Sequence, residues 1–196
     1  ATSIGSIDST IHANTTAGFS IVTYTGTGSI GSLAHGLGAV PHVMIVKNRS
    51  KSAGESWTVY HHKNTSAPET ENLQLNTTNA TSDTDAPWND TAPTSTVFTV
   101  KNDDVTNDSG ETFVCYFFTE LQGYSKFGSY TGSGSTDGPF VYTGFKPAWL
   151  IVKGTSSGRE WFMFDGTRDT FNPFDSYVKA EANDAEADST FGDFLS

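Results

Sequence analysis

The sequence predicts an all-β protein made of two related β-sandwich-like modules in tandem, the second of which lacks its closing strand. Three observations predict this fold class. Serine and threonine together number 50 of the 196 residues, with 14 phenylalanines and only 7 leucines, a composition that favours strands over helices. Short apolar runs alternate with turn-forming clusters. The motif Tyr-Thr-Gly-x-Gly-Ser occurs at residues 24–29 and again at residues 130–135.

This internal repeat organises the chain. The two copies keep one register over about 24 residues, which chance does not produce. The positions that define it are Tyr24, Gly26, Gly28, Pro41, Lys47 and Trp57 in the first copy, and Tyr130, Gly132, Gly134, Pro147, Lys153 and Trp161 in the second. We therefore divide the chain into a leader or linker (residues 1–17), a first module (residues 18–122) and an incomplete second module (residues 123–196).

The strands of the first module are predicted from apolar runs and the turns that bound them. Phe19–Thr25 alternates weakly and ends in a glycine-rich turn, Val43–Lys47 is a short apolar run after a proline, and Trp57–His61 follows a polar loop. Residues 62–95 are a long polar segment, which we expect to be a functional or mobile loop.

Two further strands complete the first module. Val97–Val100 and Thr112–Glu120 are separated by a turn cluster rich in aspartate, asparagine and glycine. The second of these runs is apolar on both alternating faces, so we expect it to be buried on both sides. The second module has no run that resembles it, so either the chain is a fragment or a partner supplies the missing strand. Only Lys179–Asp188, rich in alanine and acidic residues, suggests a short helix.

Charge and composition exclude several functions. The formal net charge of −11 disfavours binding to nucleic acid and to anionic membranes. No stretch approaches the roughly 20 apolar residues of a membrane-spanning helix. The single cysteine, Cys115, excludes an internal disulfide and a cysteine-based zinc site.

The candidate motifs for cofactors and metals favour simpler interpretations. Gly26, Gly28 and Gly31 match the dinucleotide fingerprint, but the residues that follow cannot form the helix it requires, so we interpret them as a turn. His61 and His62 are adjacent and would face opposite ways on a strand, so the two side chains cannot bind one metal ion together. Three acidic residues of one turn (Asp103, Asp104 and Asp108) do not match a calcium loop. We predict no metal site, no cofactor and no enzymatic activity.

Tryptophans are candidate platforms for sugar rings. Trp57 and Trp161 occupy equivalent repeat positions, which favours a core role in each copy. Trp88 has no counterpart and lies in the long polar segment. We therefore predict Trp88 as the candidate glycan-contacting residue.

Several strings of the sequence resemble a module of bacteriophage virion proteins that is common in marine and cyanobacterial phages, usually within tail fibres. These strings are residues 18–29, 35–38, 45–49, 88–90 and 128–132. The resemblance covers roughly residues 17–196. It implies a structural protein on the surface of the phage particle, most often a tail-fibre or receptor-binding component for host attachment. It supplies no catalytic or binding residue.

The resemblance and the composition leave three functional alternatives. The first is the tail-fibre or receptor-binding role, with other virion proteins and copies of the chain as partners, a trimer by analogy with phage fibres, and a host surface glycan as ligand. The second is a secreted carbohydrate-binding module, and the third is a capsid decoration protein.

Overall fold

The computed structural model describes residues 4–51, 54–135, 137–156 and 158–194. The fold is all-β, as the composition predicts. The strands are β1 (Ser9–Asn14), β2 (Phe19–Thr25), β3 (Gly31–Ala34), β4 (Val43–Asn48), β5 (Thr58–His61), β6 (Glu71–Gln74), β7 (Ser82–Asp83), β8 (Val97–Val100), β9 (Thr112–Phe118), β10 (Trp149–Lys153), β11 (Trp161–Asp165), β12 (Phe174–Lys179) and β13 (Ala187–Gly192). One 3-10 helix, Pro68–Thr70, precedes β6. Within the described ranges there is no helix with the length and apolarity that a membrane span requires.

The first part of the chain forms a sandwich-like pair of sheets. A seven-stranded antiparallel sheet has the order β1-β2-β9-β4-β5-β6-β7, and a two-stranded sheet pairs β3 with β8. Their facing side chains form one buried apolar cluster. Within it the rings of Phe98 on β8 and Phe117 on β9 lie 4.9 Å apart. Burial of this cluster is the main source of stability for the larger sheet.

Strand β9 is the third of the seven strands of the larger sheet, and its two-faced apolar sequence predicts burial on both sides. It pairs with β2 on one edge and with β4 on the other. Phe113, Cys115 and Phe117 are completely buried on one face, and the residues between them are half-buried on the other. The prediction of a strand covered on both faces is therefore confirmed, with its end at Phe118 rather than Glu120.

Two segments predicted to lack regular structure contain strands. In the segment predicted as a leader or linker, residues 9–14 form β1, which pairs with β2 along its full length. In the segment predicted as a long loop, residues 71–74 form β6, which joins the larger sheet beside β5. These predictions were wrong because both strands are polar edge or near-edge strands, whose pairing is decided by the neighbouring strand rather than by their own hydrophobic pattern.

The later part of the chain forms a separate four-stranded antiparallel sheet of the order β10-β11-β12-β13. The predicted helix over Lys179–Asp188 is absent from it. Those residues are the end of β12, a loop and the start of β13, because alanine and glutamate favour a helix only weakly when a neighbouring strand offers a partner. The order of β10–β13 is the same as that of β4–β7 in the larger sheet.

Turns at equivalent positions of the repeat have the same backbone conformation. Gly28 and Gly134 have φ angles of 67° and 69°, and Gly38 and Gly144 have φ angles of 71° and 83°. A positive φ is readily available only to glycine, so both copies require glycine at these positions. The equivalence of the two copies therefore extends to the backbone conformation of their glycine turns.

The two sheets contact each other through their outer faces. Ile45 on β4 and its repeat equivalent Ile151 on β10 belong to one apolar cluster, together with buried Trp161. The indole Nε1 of Trp161 donates a hydrogen bond to the Gln74 carbonyl oxygen at 2.9 Å. The four-stranded sheet therefore packs against the outer face of the larger sheet.

Candidate functional site

The free edge of β10 is the first element of the candidate site. In the first copy, the equivalent strand β4 has β5 on one edge and β9 on the other. In the described part of the chain, β10 pairs only with β11, so the edge that corresponds to the β9 side is open. An open edge leaves backbone amides and carbonyls available to another strand.

The segment that corresponds to β2 is the second element. Residues 125–131 are the equivalents of β2 by the repeat offset, yet Ser125 forms only an isolated bridge and the described residues 126–148 contain no strand. In the first copy β2 and β4 are held together by β9 between them. Among the described residues, the second copy thus has no strand equivalent to β2 and none paired with β10 in the place of β9.

Exposed aromatic side chains lie in the same part of the chain. Tyr130 is 56% exposed whereas its equivalent Tyr24 is 5% exposed, and Trp149 is 57% exposed whereas its equivalent Val43 is 8% exposed. Tyr124, Phe140, Val141 and Tyr142 are also exposed. Clustered exposed apolar residues are typical of interaction surfaces. We call residues 124–149 with the β10 edge the open half-module.

The open half-module carries little charge. Between residues 124 and 149 the only charged side chains are Lys126, Asp137 and Lys146, in a chain of net charge −11. Proteins usually protect an open sheet edge with charged residues or proline. The segment is therefore less charged than the chain as a whole, while Lys146 and Pro147 precede the β10 edge and Lys153 ends it.

Trp88 does not offer a sugar platform, so this prediction is wrong. Its side chain is 1% exposed and packs in the core of the larger sheet. The indole Nε1 donates to the Glu71 carbonyl oxygen at 2.9 Å, and the ring meets Tyr60 edge to face at 6.1 Å. Sequence reasoning placed Trp88 outside because its neighbours are polar, but the segment folds back over β6.

The two equivalent tryptophans differ in burial. Trp161 is buried, as predicted, between the two sheets. Trp57 is only half-buried and stacks on Tyr116 at 6.4 Å. The core role predicted for both residues is therefore clear for Trp161 and partial for Trp57.

Three side chains that sequence reasoning did not group lie together where the two copies join. Ligand atoms of His42, His62 and Glu120 are all within 4.8 Å of one another, although they are far apart in sequence. Burial, and then the nearby His62, lower the pKa of His42. Two histidines and a carboxylate are a donor set that suits zinc.

The existing hydrogen bonds of this cluster give it a structural role. The Glu120 amide donates to His42 Nδ1 at 3.1 Å, and Glu120 itself accepts from the Phe127 amide at 3.0 Å and pairs with Lys126 at 3.1 Å. His62 Nε2 lies 3.0 Å from the Phe127 carbonyl oxygen. A cation would have to displace the lysine, so the cluster acts mainly to hold the link between β9 and the open half-module.

The remaining sequence motifs form turns. Gly26 accepts from the Gly110 amide and is followed by strand β3 at Gly31, not by the helix that a dinucleotide site requires. Lys51 forms ion pairs with Asp104 at 2.8 Å and Asp108 at 3.1 Å. The glycine motif is therefore a turn, and two of the three turn aspartates are neutralised by a lysine.

The comparisons with known proteins identify one family. The profile of the domain of unknown function DUF7483 matches residues 1–196. No curated protein and no solved structure matches the chain.

Proposed function

This chain belongs to the family of the domain of unknown function DUF7483, and we propose that it is a structural protein of a bacteriophage particle, a tail-fibre or receptor-binding component used for host attachment. Two features support the proposal. One is the resemblance of its repeat strings to phage virion modules. The other, which carries most weight, is the open half-module, since an open sheet edge in a part of the chain with exposed aromatics suits a protein that works inside an assembly.

The partners that we propose are other virion proteins and further copies of the chain. Fibres of this kind are commonly trimeric, and a threefold axis lets each chain meet the next in a closed ring. Sedimentation velocity of the chain at micromolar concentration tests self-assembly. A trimer supports the fibre role, and a monomer assigns the interface to other proteins.

The position on the particle is tested by immunogold electron microscopy of purified virions with antibody against this chain. Label on tail fibres is the expected result. Label spread over the head would establish the capsid decoration role instead, and particles without label would overturn the virion assignment. Mass spectrometry of the same particles gives an independent check of whether the chain is present.

A carbohydrate-binding role is the second candidate, and exposed Trp149 favours it. A flat exposed indole complements a pyranose ring, and Tyr142, seven residues earlier in the sequence, is 78% exposed. A glycan array with the wild-type chain and Trp149→Ala tests this candidate, with Phe171→Ala as the matched control because Phe171 is exposed but outside the open half-module. Glycan binding that only Trp149→Ala abolishes would support it.

A further inference from the structure

Two histidines and one glutamate lie at the ends of three neighbouring strands of the larger sheet. His42 directly precedes β4, His62 directly follows β5, and Glu120 lies just beyond the end of β9. The backbone ladder continues into these positions. The His62 amide donates to the His42 carbonyl oxygen at 2.9 Å, and the His42 amide donates to the Phe118 carbonyl oxygen at 2.8 Å. Backbone pairing therefore fixes the two histidines beside each other.

The second copy of the repeat has the same backbone pairing without these side chains. Ala148 and Gly166 are the repeat equivalents of His42 and His62, once the shorter loop before Trp161 is allowed for. The Gly166 amide donates to the Ala148 carbonyl oxygen at 2.9 Å, the same distance as in the first copy. The repeat thus forms this strand pair with alanine and glycine, so the pair does not depend on the two imidazoles.

The side chains of the three residues converge. One ligand atom from each of His42, His62 and Glu120 lies within 4.8 Å of the other two, and the two imidazole rings are nearly perpendicular with centroids 4.4 Å apart. At zinc–ligand distances of about 2.1 Å, the ligand atoms of a tetrahedral site lie about 3.4 Å apart. Side-chain rotation is therefore enough to bring the three groups onto one ion.

The hydrogen bond of His62 leaves a ligand atom on its ring. Its Nε2 lies 3.0 Å from the Phe127 carbonyl oxygen. A carbonyl oxygen can only accept, so Nε2 carries the proton and Nδ1 carries the lone pair. Histidines that bind metals usually donate their other ring N–H to a carbonyl or carboxylate in this way. His62 is thus oriented to bind through Nδ1.

His42 has a comparable outer partner. Its Nδ1 lies 3.0 Å from Thr119 Oγ1, and that hydroxyl donates its own proton to the Val40 carbonyl oxygen at 3.3 Å. The hydroxyl oxygen can therefore accept from Nδ1–H, which leaves the lone pair of Nε2 for a metal. The Glu120 amide also donates to His42 Nδ1, at 3.1 Å. Zinc binding exchanges this bond for the one to Thr119.

The Glu120 carboxylate offers one oxygen while the other stays hydrogen-bonded. Its Oε1 accepts from the Phe127 amide at 3.0 Å, and its Oε2 pairs with Lys126 at 3.1 Å. The Lys126 side chain is 47% exposed, and exposed ion pairs contribute little to stability. A zinc ion can therefore replace the Lys126 ammonium at Oε2 without loss of the bond at Oε1.

We propose that His42 Nε2, His62 Nδ1 and Glu120 Oε2 bind one zinc ion, with a water molecule as the fourth ligand. Two histidines, one glutamate and one open position are a coordination set that zinc adopts in proteins. Phe127, whose backbone holds His62 and Glu120, packs in the apolar cluster between the two sheets. The zinc ion thus stabilises the junction between the larger sheet and the four-stranded sheet. This inference is independent of the proposed role in a phage particle.

Isothermal titration of the EDTA-treated and dialysed chain with zinc chloride at pH 7 tests the proposal. We expect one zinc ion per chain and a higher melting temperature, because a ligand that binds the folded state stabilises it. Cobalt(II) in place of zinc should give the intense visible absorption of a tetrahedral site. Magnesium is the control for the general attraction of cations to a chain of net charge −11, and it should produce neither effect. A chain that binds zinc no better than magnesium would overturn the proposal.

Ligand variants locate the ion. His62→Gln retains an amide group able to donate to the Phe127 carbonyl oxygen but removes the ligand nitrogen, and Glu120→Gln removes the carboxylate charge. Each should weaken zinc affinity by about 100-fold or more, beyond the roughly 10- to 100-fold that loss of an outer partner costs. His12→Gln, at an exposed position, is the matched control and should bind zinc like the wild type. Affinity that neither ligand variant changes would show that zinc binds elsewhere.

Lys126→Ala separates a zinc site from a cluster that is only hydrogen-bonded. Removing the ammonium frees Glu120 Oε2, so zinc affinity should increase severalfold. Circular dichroism checks that each variant is folded, and Lys126→Ala still decides the question if a ligand variant does not fold. An unchanged or lower zinc affinity in folded Lys126→Ala would overturn the proposed coordination by Glu120.

Discussion

Tyr24 and Tyr130 occupy the same position of the repeat, but Tyr24 is 5% exposed and Tyr130 is 56% exposed. The Tyr24 ring stacks on Phe113 at 5.0 Å, and its hydroxyl donates to the Thr106 carbonyl oxygen. Burial raises the pKa of the Tyr24 hydroxyl well above its usual value. The same residue type is thus a core residue in one copy and a surface residue in the other, because in the described part of the chain no ring stacks on Tyr130 as Phe113 stacks on Tyr24.

We expect Tyr24→Ala to lower the free energy of unfolding by about 3 to 5 kcal/mol, as for other large buried aromatics. Tyr130→Ala should change it by about 0.5 kcal/mol or less, the usual effect of an exposed substitution. Urea unfolding monitored by circular dichroism measures both. Equal losses in the two variants would show that Tyr130 is buried in solution.

The glycines two residues later give a second matched pair. A Cβ at Gly26 would overlap the Asp108 carbonyl oxygen and lie 2.9 Å from the Phe113 ring, whereas a Cβ at Gly132 would have nothing within 4 Å. Gly26→Ala should destabilise the protein by about 1 to 3 kcal/mol through this overlap. Gly132→Ala should be neutral or stabilise slightly, because alanine restricts the unfolded chain. The shift of the urea midpoint of unfolding, measured for each variant against the wild type, tests both expectations.

Trp88→Ala should behave as a core substitution. We expect a loss of about 3 to 5 kcal/mol in the free energy of unfolding, since the indole is buried and donates to Glu71. Trp149→Ala, at an exposed position, should leave stability nearly unchanged and serves as the control. A fully stable Trp88→Ala would contradict the buried position.

Trp161→Ala should loosen the second sheet before the first. The side chain fills the cluster between the sheets and its Nε1 donates to Gln74. We expect hydrogen exchange to accelerate in β10, β11 and β12 while β2 and β9 stay protected, because exchange reports local opening. Uniform acceleration over all strands would show instead that the two sheets unfold as one unit. Trp57→Ala is the repeat-matched control and should not affect β10–β12 selectively.

Stability should fall in mild acid because of His61. Burial, and then the nearby His62 and His42, lower the pKa of His61 from 6.5 to about 4. The unfolded chain therefore binds a proton at higher pH than the folded chain, so this contribution is complete above pH 6.5 and is lost as pH falls toward 4. The loss amounts to roughly 1 to 2 kcal/mol, since the half-buried ring is partly screened by water.

The variant His61→Gln should remove this part of the acid sensitivity. Urea unfolding of wild type and variant at pH 7 and pH 4.5 gives the difference. His12→Gln, at an exposed position, is the control and should keep the acid sensitivity of the wild type. If His61→Gln keeps it as well, the proton is taken up elsewhere, for example at His42.

The sequence by itself determined the all-β class, the repeat, the glycine-rich turns and the burial of β9. These features depend on the backbone preferences of individual residue types and on hydrophobic alternation, both of which can be determined from the sequence alone. The run of apolar residues on both faces of Thr112–Phe118 requires a packed layer on each face of the strand. The repeat register also placed β10 and β11 correctly.

Only the tertiary structure decided where the polar segments lie. Residues 9–14, 71–74 and 187–192 are strands because an adjacent strand offers them backbone partners, which their own composition does not reveal. Trp88 is buried because its polar segment folds over β6. His42, His62 and Glu120 meet because β4 begins where its antiparallel neighbours β5 and β9 end. The exposure of Tyr130 and Trp149 has the same origin: burial depends on whether a neighbouring strand is present, and among the described residues only β11 pairs with β10.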